Sequence, residues 1–233
     1  MAVNVYVGPL VRFYSGDWKP VFIRGANAQS DEAKHRPPFG DEKVSPIELR
    51  NYIIEWRKQI SQALKRQPGT LNWSETPESL YYTNSIDRNG YDALKLWAAY
   101  TEQTNLSKPT ELPAKVEDDP VLINSEAKNK SEYSQIISGV VLWLPLNIDV
   151  VFEADFLHYQ EPISVGSSGA LFEQLKRLNE KTWKASPGEI TSWRESVNPD
   201  NTMLEPLAKL GFSVFYNLAQ LSVMHRLPMA LYH

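Results

Sequence analysis

Two carboxylates and a histidine lie close together in the segment that follows residue 147. Glu153 and Asp155 are two residues apart in a stretch where apolar and polar side chains alternate, and His158 comes three residues later. Because alternate side chains of a strand share a face, the two carboxylates would lie roughly 7 Å apart on one face. Such a pair could hold a hard cation or, if one carboxyl group were buried, serve acid–base catalysis. We favour the simpler interpretation, a solvated polar face with no metal and no cofactor.

Another candidate for catalysis is His225, which falls on the apolar stripe of the C-terminal segment. It could be a base on a rigid helix, although a buried histidine with one carbonyl partner is the simpler expectation. Ser167 and Ser168 stand between two glycines just before a predicted helix, where free backbone amides could bind an anion. The segment lacks the lysine of a phosphate-binding loop and the spacing of a nucleophile elbow, so we favour an ordinary helix cap.

Large aromatic residues in predicted loops could be either exposed binding residues or part of the core. Trp18 and Trp73 lie in short polar segments, and Tyr81 and Tyr82 follow the second one. Exposed aromatic rings often anchor protein interfaces, and rings of the same kind serve as stacking platforms. If these tryptophans are anchors, they should be exposed in the free protein. The alternative is that both rings fold back onto the core.

The composition excludes several classes of function. The chain has 233 residues with 24 Lys+Arg, 28 Asp+Glu and no cysteine. It therefore has no disulfide, zinc–cysteine site, iron–sulfur cluster or thiol nucleophile. The net charge of -4 and the scattered basic residues argue against nucleic acid as a partner. We expect no membrane segment and a cytoplasmic location, because the chain has no long apolar run, no signal-peptide pattern and no cysteine.

The N-terminal elements that would position these residues can be predicted from periodicity. Val3, Val5 and Val7 alternate with polar residues and predict a strand. Residues 10–14 and 21–23 have the composition of further short strands. Ser45 and Pro46 predict the start of a helix with apolar residues at helical spacing, and a weaker helix is predicted over residues 89–103.

The C-terminal elements are more strongly patterned. Residues 136–144 and 148–156 predict a β-hairpin, and helices are predicted after Ser168, from Ser186-Pro187, and from about residue 204 to His225. The last helix is apolar on most sides, which is typical of a central helix. Residues 229–232 predict one edge strand.

Together these elements predict an α+β fold, with a small antiparallel or mixed sheet packed by about five helices around a central C-terminal helix. A proline-rich polar segment, residues 101–133, is either an ordered loop or a linker. It suggests a division into residues 1–133 and 134–233, with a single cooperative domain as the alternative.

For function, we expect a non-catalytic protein that binds a protein partner, of the bacterial inhibitor or toxin-neutralising type. A hydrolase or transferase using Glu153, Asp155, His158 or His225, with or without a divalent cation, is one alternative. A carbohydrate-binding module is another. The sequence leaves the oligomeric state open.

Overall fold

A six-stranded mixed sheet forms the centre of the computed structural model, which describes residues 2–18, 45–65, 71–76, 78–127, 131–157, 159, 161–196 and 202–232. Its strands are β1 (Ala2–Val7), β2 (Tyr82–Asp87), β3 (Leu142–Leu144), β4 (Phe152–Ala154), β5 (Ile163–Ser167) and β6 (Met229–Tyr232). The helices are α1 (Leu10–Ser15), α2 (Pro46–Ala63), α3 (Arg88–Glu102), α4 (Pro120–Glu126), α5 (Ser134–Ile137), α6 (Ser168–Lys181), α7 (Pro187–Ser196) and α8 (Leu204–His225), with a 3-10 turn at Val116–Asp118. The predicted α+β class is confirmed.

The strand order is β2-β1-β6-β3-β5-β4, so the last strand of the chain lies inside the sheet. β1 pairs antiparallel with both β2 and β6, and Val5 is opposite Asn84 on one side and Leu231 on the other. β3 pairs antiparallel with β6 and parallel with β5, and β4 closes the sheet antiparallel to β5.

Alternation along the strands divides the apolar residues between two cores, one on each face of the sheet. Val3, Val5 and Val7 of β1 join the core that contains α3, α6 and α8. Tyr6 points the other way, into a core shared with α1 and α2. The fold therefore has three layers, in which α1 and α2 cover one face of the sheet and most of the remaining helices cover the other.

Two glycines let the central helices approach closely. A Cβ atom built on Gly211 of α8 would lie 2.3 Å from the carbonyl oxygen of Gly90 in α3 and 3.1 Å from Cβ of Leu94. No side chain fits between these backbones. This contact sets the distance between α3 and α8, the two longest helices on that face of the sheet.

The structure corrects three predictions about strands. Residues 10–14 form the helix α1, because their first amides are bound by a carboxylate from a distant loop, described below. The predicted hairpin is wrong because β5 lies between β3 and β4, and residues 134–137 form α5. The strand at residues 229–232 is present but is not an edge strand, since it pairs with β1 and β3. The strand expected at residues 21–23 lies outside the described residues.

The helix predictions hold, with one difference in capping. α7 begins near Ser186 as predicted, with a capping box in which Ser186 and Glu189 exchange side-chain and backbone hydrogen bonds. Pro46 begins α2 as predicted, whereas Ser45 makes no side-chain capping bond. Among the described residues, no helix combines the length and apolarity that spanning a bilayer requires.

The sheet joins the two parts of the chain that the proline-rich segment suggested. β1 and β2 precede residue 133, yet β1 pairs with β6, and α3 packs along α8. Val116, Val121 and Leu122, within the proline-rich segment, are buried in the core formed with α3 and α8. These contacts favour a single cooperative domain over two separable parts, and this choice stays a prediction.

The contact between Gly90 and Gly211 gives a testable prediction. Gly211→Ala should lower the free energy of unfolding by about 1–3 kcal/mol, because the added methyl group must push two packed helices apart. Denaturant unfolding followed by circular dichroism would measure the change.

Gly188→Ala is the matched control, since nothing lies within 4 Å of a Cβ atom built at that position in α7. It should be neutral or stabilise by up to about 1 kcal/mol, as expected for alanine in an exposed helix. Equal unfolding midpoints for wild type and Gly211→Ala would show that α3 and α8 are not in close contact.

Candidate interaction surface

The carboxylates considered for a metal or catalytic site are separate and exposed. Glu153 lies in β4 opposite Ser164, Asp155 follows the end of the strand, and both are exposed. A carboxyl group that serves as a general acid is usually buried, and these two are not. No three histidine, aspartate or glutamate side chains in the described part of the chain come together as a metal site. His158 lies outside the described residues.

Ser167 and Ser168 do not form an accessible anion site. Both are fully buried, and their hydroxyl groups donate hydrogen bonds to the carbonyl oxygens of Leu146, at 2.6 Å, and Leu144, at 3.3 Å. Ser167 also accepts a hydrogen bond from the amide of Ala170 at 3.1 Å, which is an ordinary helix cap. The anion-binding hypothesis is corrected by this burial.

The two loop tryptophans are part of the core. Trp18 and Trp73 are each only 5% exposed, so the expectation of exposed anchors is wrong for both rings. Trp18 stacks on Phe13 and donates its indole hydrogen bond to the Phe13 carbonyl at 3.1 Å. Trp73 lies beneath the guanidinium group of Arg57, 4.9 Å from the ring centroid.

A buried glutamate, missed by the sequence analysis, holds the N-terminus of α1. Glu75 accepts hydrogen bonds from the amides of Leu10 at 3.1 Å and Val11 at 2.8 Å, and from the indole of Trp73. The residue at the cap position of α1 is Pro9, whose side chain offers no acceptor. Glu75 therefore supplies the cap from 65 residues away. Burial raises the pKa of its carboxyl group, and the amide and indole donors partly oppose that shift.

The structure brings together two predicted site residues, Tyr82 and His225. The phenol oxygen of Tyr82 lies 2.9 Å from Nε2 of His225, and the two rings stack with centroids 5.2 Å apart. His225 is exposed, so the expectation of a buried histidine bonded to a carbonyl is wrong. Tyr81 points elsewhere: it stacks on Tyr6, with the guanidinium group of Arg12 over its ring.

Two other tyrosines form the most exposed aromatic surface near the core. Tyr52 of α2 and Tyr159, which follows β4, are 39% and 44% exposed. Phe156 lies beneath them, fully buried, with its ring centroid 6.0 Å from Tyr52 and 5.1 Å from Tyr14. The phenol of Tyr14 is hydrogen-bonded to Tyr159. Burial raises the pKa of Tyr14 well above its ordinary value, so this phenol stays protonated and keeps its donor.

Asp155 and Leu157, which follow β4, are hydrogen-bonded to side chains of α2. The amide of Leu157 donates to the phenol oxygen of Tyr52 at 2.8 Å, and the indole of Trp56 donates to the Asp155 carbonyl at 2.8 Å. We call Tyr52, Asp155, Leu157 and Tyr159 the tyrosine patch. Asp155 and Leu157 are each bound through a backbone atom, and the buried ring of Phe156 packs beneath the patch.

Leu157 has a strained backbone. Its φ of 51° lies in the left-handed region, which costs a non-glycine residue roughly 1 kcal/mol or more. Three other non-glycine residues among those described share this conformation, Lys65, Lys184 and Arg226, and each follows the end of a helix, where such a residue terminates the helix. Leu157 follows a strand instead. Helix termination therefore does not account for the conformation of Leu157.

The sequence contains a signal that Tyr52 is exposed, although this residue lies in a predicted helix and not in a loop. The stripe of α2 that packs on the core contains Leu49, Ile53, Trp56 and Ile60. Tyr52 lies beside that stripe, flanked one turn away on each side by Glu48 and Glu55. An aromatic residue between two carboxylates on a helix flank is more typical of an exposed contact than of a core position. Nothing local marked Tyr159 or Glu75.

The comparisons with known proteins give no further assignment: no family model, no curated protein and no solved structure matches this chain. The interpretation of the tyrosine patch therefore depends on its own geometry.

The role of Glu75 gives a second prediction. Glu75→Gln should lower the free energy of unfolding at neutral pH by about 1–3 kcal/mol, because the amide keeps only one acceptor oxygen and its NH2 group would face a donor that the carboxylate now binds. Urea unfolding at several pH values would measure this. Glu78→Gln, an exposed glutamate of the same loop, is the control and should change little.

The pH dependence has a definite sign. Since the folded-state pKa of Glu75 is raised above its ordinary value of 4.5, the folded protein binds this proton more tightly than the unfolded chain. As the pH rises from 4.5 through the folded-state pKa, the free energy of unfolding of wild type should fall relative to that of Glu75→Gln. A stability difference that is independent of pH would contradict the burial of an ionisable carboxyl group at this position.

Proposed function

We propose that this chain is a non-catalytic protein that binds a protein partner through the tyrosine patch. The observation that carries the proposal is the strained, doubly anchored loop at Leu157 between two exposed tyrosines. Tyrosine is enriched at the energetic centres of protein interfaces, because its ring buries a large area at a low cost in conformational entropy.

The rigidity of the loop supports a specific, stable complex. A mobile loop loses conformational entropy when it becomes ordered on binding, and this loss lowers the affinity. A loop that is already ordered avoids this cost. An inhibitor or toxin-neutralising protein acting in the cytoplasm would use such a surface, and this class is our more specific proposal. It is supported by the two hydrogen bonds that join Asp155 and Leu157 of the patch to α2.

The alternatives are less well supported. The carbohydrate-binding hypothesis depended on Trp18 and Trp73, and both rings are buried. The hydrolase or transferase hypothesis retains one observation, the contact between Tyr82 and His225 at 2.9 Å. This pair could contact a bound substrate, but the residues one turn before His225 on α8, Leu221 and Ser222, offer no carboxylate to orient the imidazole.

A capture experiment tests the proposal. Wild type and the double variant Tyr52→Ala, Tyr159→Ala would be immobilised and exposed to lysate of the source cells, and retained proteins quantified by mass spectrometry. A protein held by wild type should be depleted about tenfold or more on the variant, which corresponds to about 1.4 kcal/mol. Thermal unfolding should show that the variant remains folded.

Leu106→Ala is the matched control, because Leu106 is 43% exposed and lies in a different loop, after α3. It should retain the same proteins as wild type. The proposal is wrong if every protein retained by wild type is retained equally by the Tyr52→Ala, Tyr159→Ala variant.

A further inference from the structure

The two flanks of α2 carry opposite charges. With 3.6 residues per turn, Glu48, Tyr52 and Glu55 fall on one side of the stripe that packs on the core, and Arg50 and Arg57 fall on the other. The first flank adjoins the Leu157 loop, through the hydrogen bond from Leu157 to Tyr52. The second adjoins the loop that carries Trp73 and Glu75, through the hydrogen bond from Arg57 to the Trp73 carbonyl at 3.0 Å.

The basic flank shows how this protein pairs an aromatic ring, a carboxylate and a cation. The guanidinium group of Arg57 lies 4.9 Å from the centroid of Trp73, and it interacts favourably with the charge of Glu75. The ring face and the carboxylate both attract the cation, so three groups stabilise one another.

The acidic flank has two of these three groups. Tyr52 supplies the ring, and Glu48 and Glu55 supply carboxylates one turn away on either side, with the exposed Asp155 beside the Leu157 loop. No lysine or arginine among the described residues lies over the ring of Tyr52 or Tyr159. Glu55 pairs with Lys58 at 3.1 Å, but both side chains are largely exposed, and such a pair is easily exchanged for another cation.

We propose that the partner contacts the tyrosine patch with basic side chains, placing an arginine or lysine on Tyr52 between the carboxylates of Glu48 and Glu55. This inference rests on the proposed protein-binding function and names the chemistry of the partner. Electrostatic complementarity of this kind accelerates association and selects against acidic partners. An acidic or purely apolar protein surface would leave Glu48, Glu55 and Asp155 desolvated without a counter-charge.

A titration with defined peptides tests the chemistry without knowledge of the natural partner. A short arginine-rich peptide, blocked at both termini, would be added to the isotopically labelled full chain, with a glutamate-rich peptide of equal length as the comparison. Amide signals of Tyr52, Glu55, Leu157 and Tyr159 should shift with the arginine-rich peptide and not with the glutamate-rich one. The affinity should fall as salt is raised.

Two charge-removing variants separate a specific site from general attraction. Glu48→Gln with Glu55→Gln should weaken the arginine-rich peptide by about fivefold or more at low salt. Glu117→Gln with Asp118→Asn removes the same charge from the exposed 3-10 turn and should leave the affinity nearly unchanged. Equal losses in the two double variants, or binding of both peptides alike, would overturn the inference.

The failure of this inference can be told apart from failure of the proposed function. If a captured protein depends on Tyr52 and Tyr159 while the arginine-rich peptide leaves the patch signals unshifted, the basic chemistry of the partner is refuted and the binding function stands. If no captured protein depends on those tyrosines, the proposed function fails, whatever the peptide does.

Discussion

The carboxylate of Glu75 is the constraint on which one whole face of this molecule depends. A helix of six residues such as α1 is not stable by itself, because one turn of hydrogen bonds does not offset the loss of chain entropy. Glu75 binds the first amides of this helix, while Trp73 and Arg57 enclose the carboxylate. A buried charge is tolerated only when it is paired and hydrogen-bonded, so the three elements must assemble together. The cost of burial is the reason the pKa of Glu75 is raised.

α1 contacts residues of the tyrosine patch, and the ring beneath it, through aromatic side chains. Tyr14, near the end of this helix, packs on Phe156 and is hydrogen-bonded to Tyr159, while Tyr52 binds the amide of Leu157 from the side of α2. The tyrosine patch is therefore supported by two helices that contact the same face of the sheet. Because Tyr14 and Phe156 are buried beneath the patch, we expect its shape to be fixed in the free protein. This explains how Leu157 keeps a strained backbone in a surface loop.

The sequence correctly predicted the helices and strands whose formation depends on local periodicity. It failed for segments whose structure is set by contacts with residues far away in the chain. The strand β1 and the helices α2, α3, α6, α7 and α8 follow from spacing and capping residues, and the apolarity of α8 predicted its central place. Residues 10–14 and the first part of the strand predicted over residues 136–144 were misassigned, because short apolar runs have no distinct period and their structure is set by Glu75 and by burial against other helices. For the site, Tyr52 could have been found from the helical wheel of α2. Tyr159 and Glu75 could not, since only tertiary contacts give them a role, and the same contacts turn Trp18 and Trp73 inward.

The central claim is that the tyrosine patch is ordered before it meets a partner, and hydrogen exchange of the Leu157 amide tests this most directly. This amide lies in a short loop after a sheet-edge strand, where an unanchored loop would exchange at nearly the rate of an unfolded chain. We predict clear protection in wild type, and its loss in Tyr52→Phe, which removes the acceptor oxygen while keeping the ring. The amide of Ile60, inside α2, should remain protected in both proteins and serves as the internal control. Unprotected exchange of Leu157 in wild type, or protection that survives in Tyr52→Phe, would contradict the account.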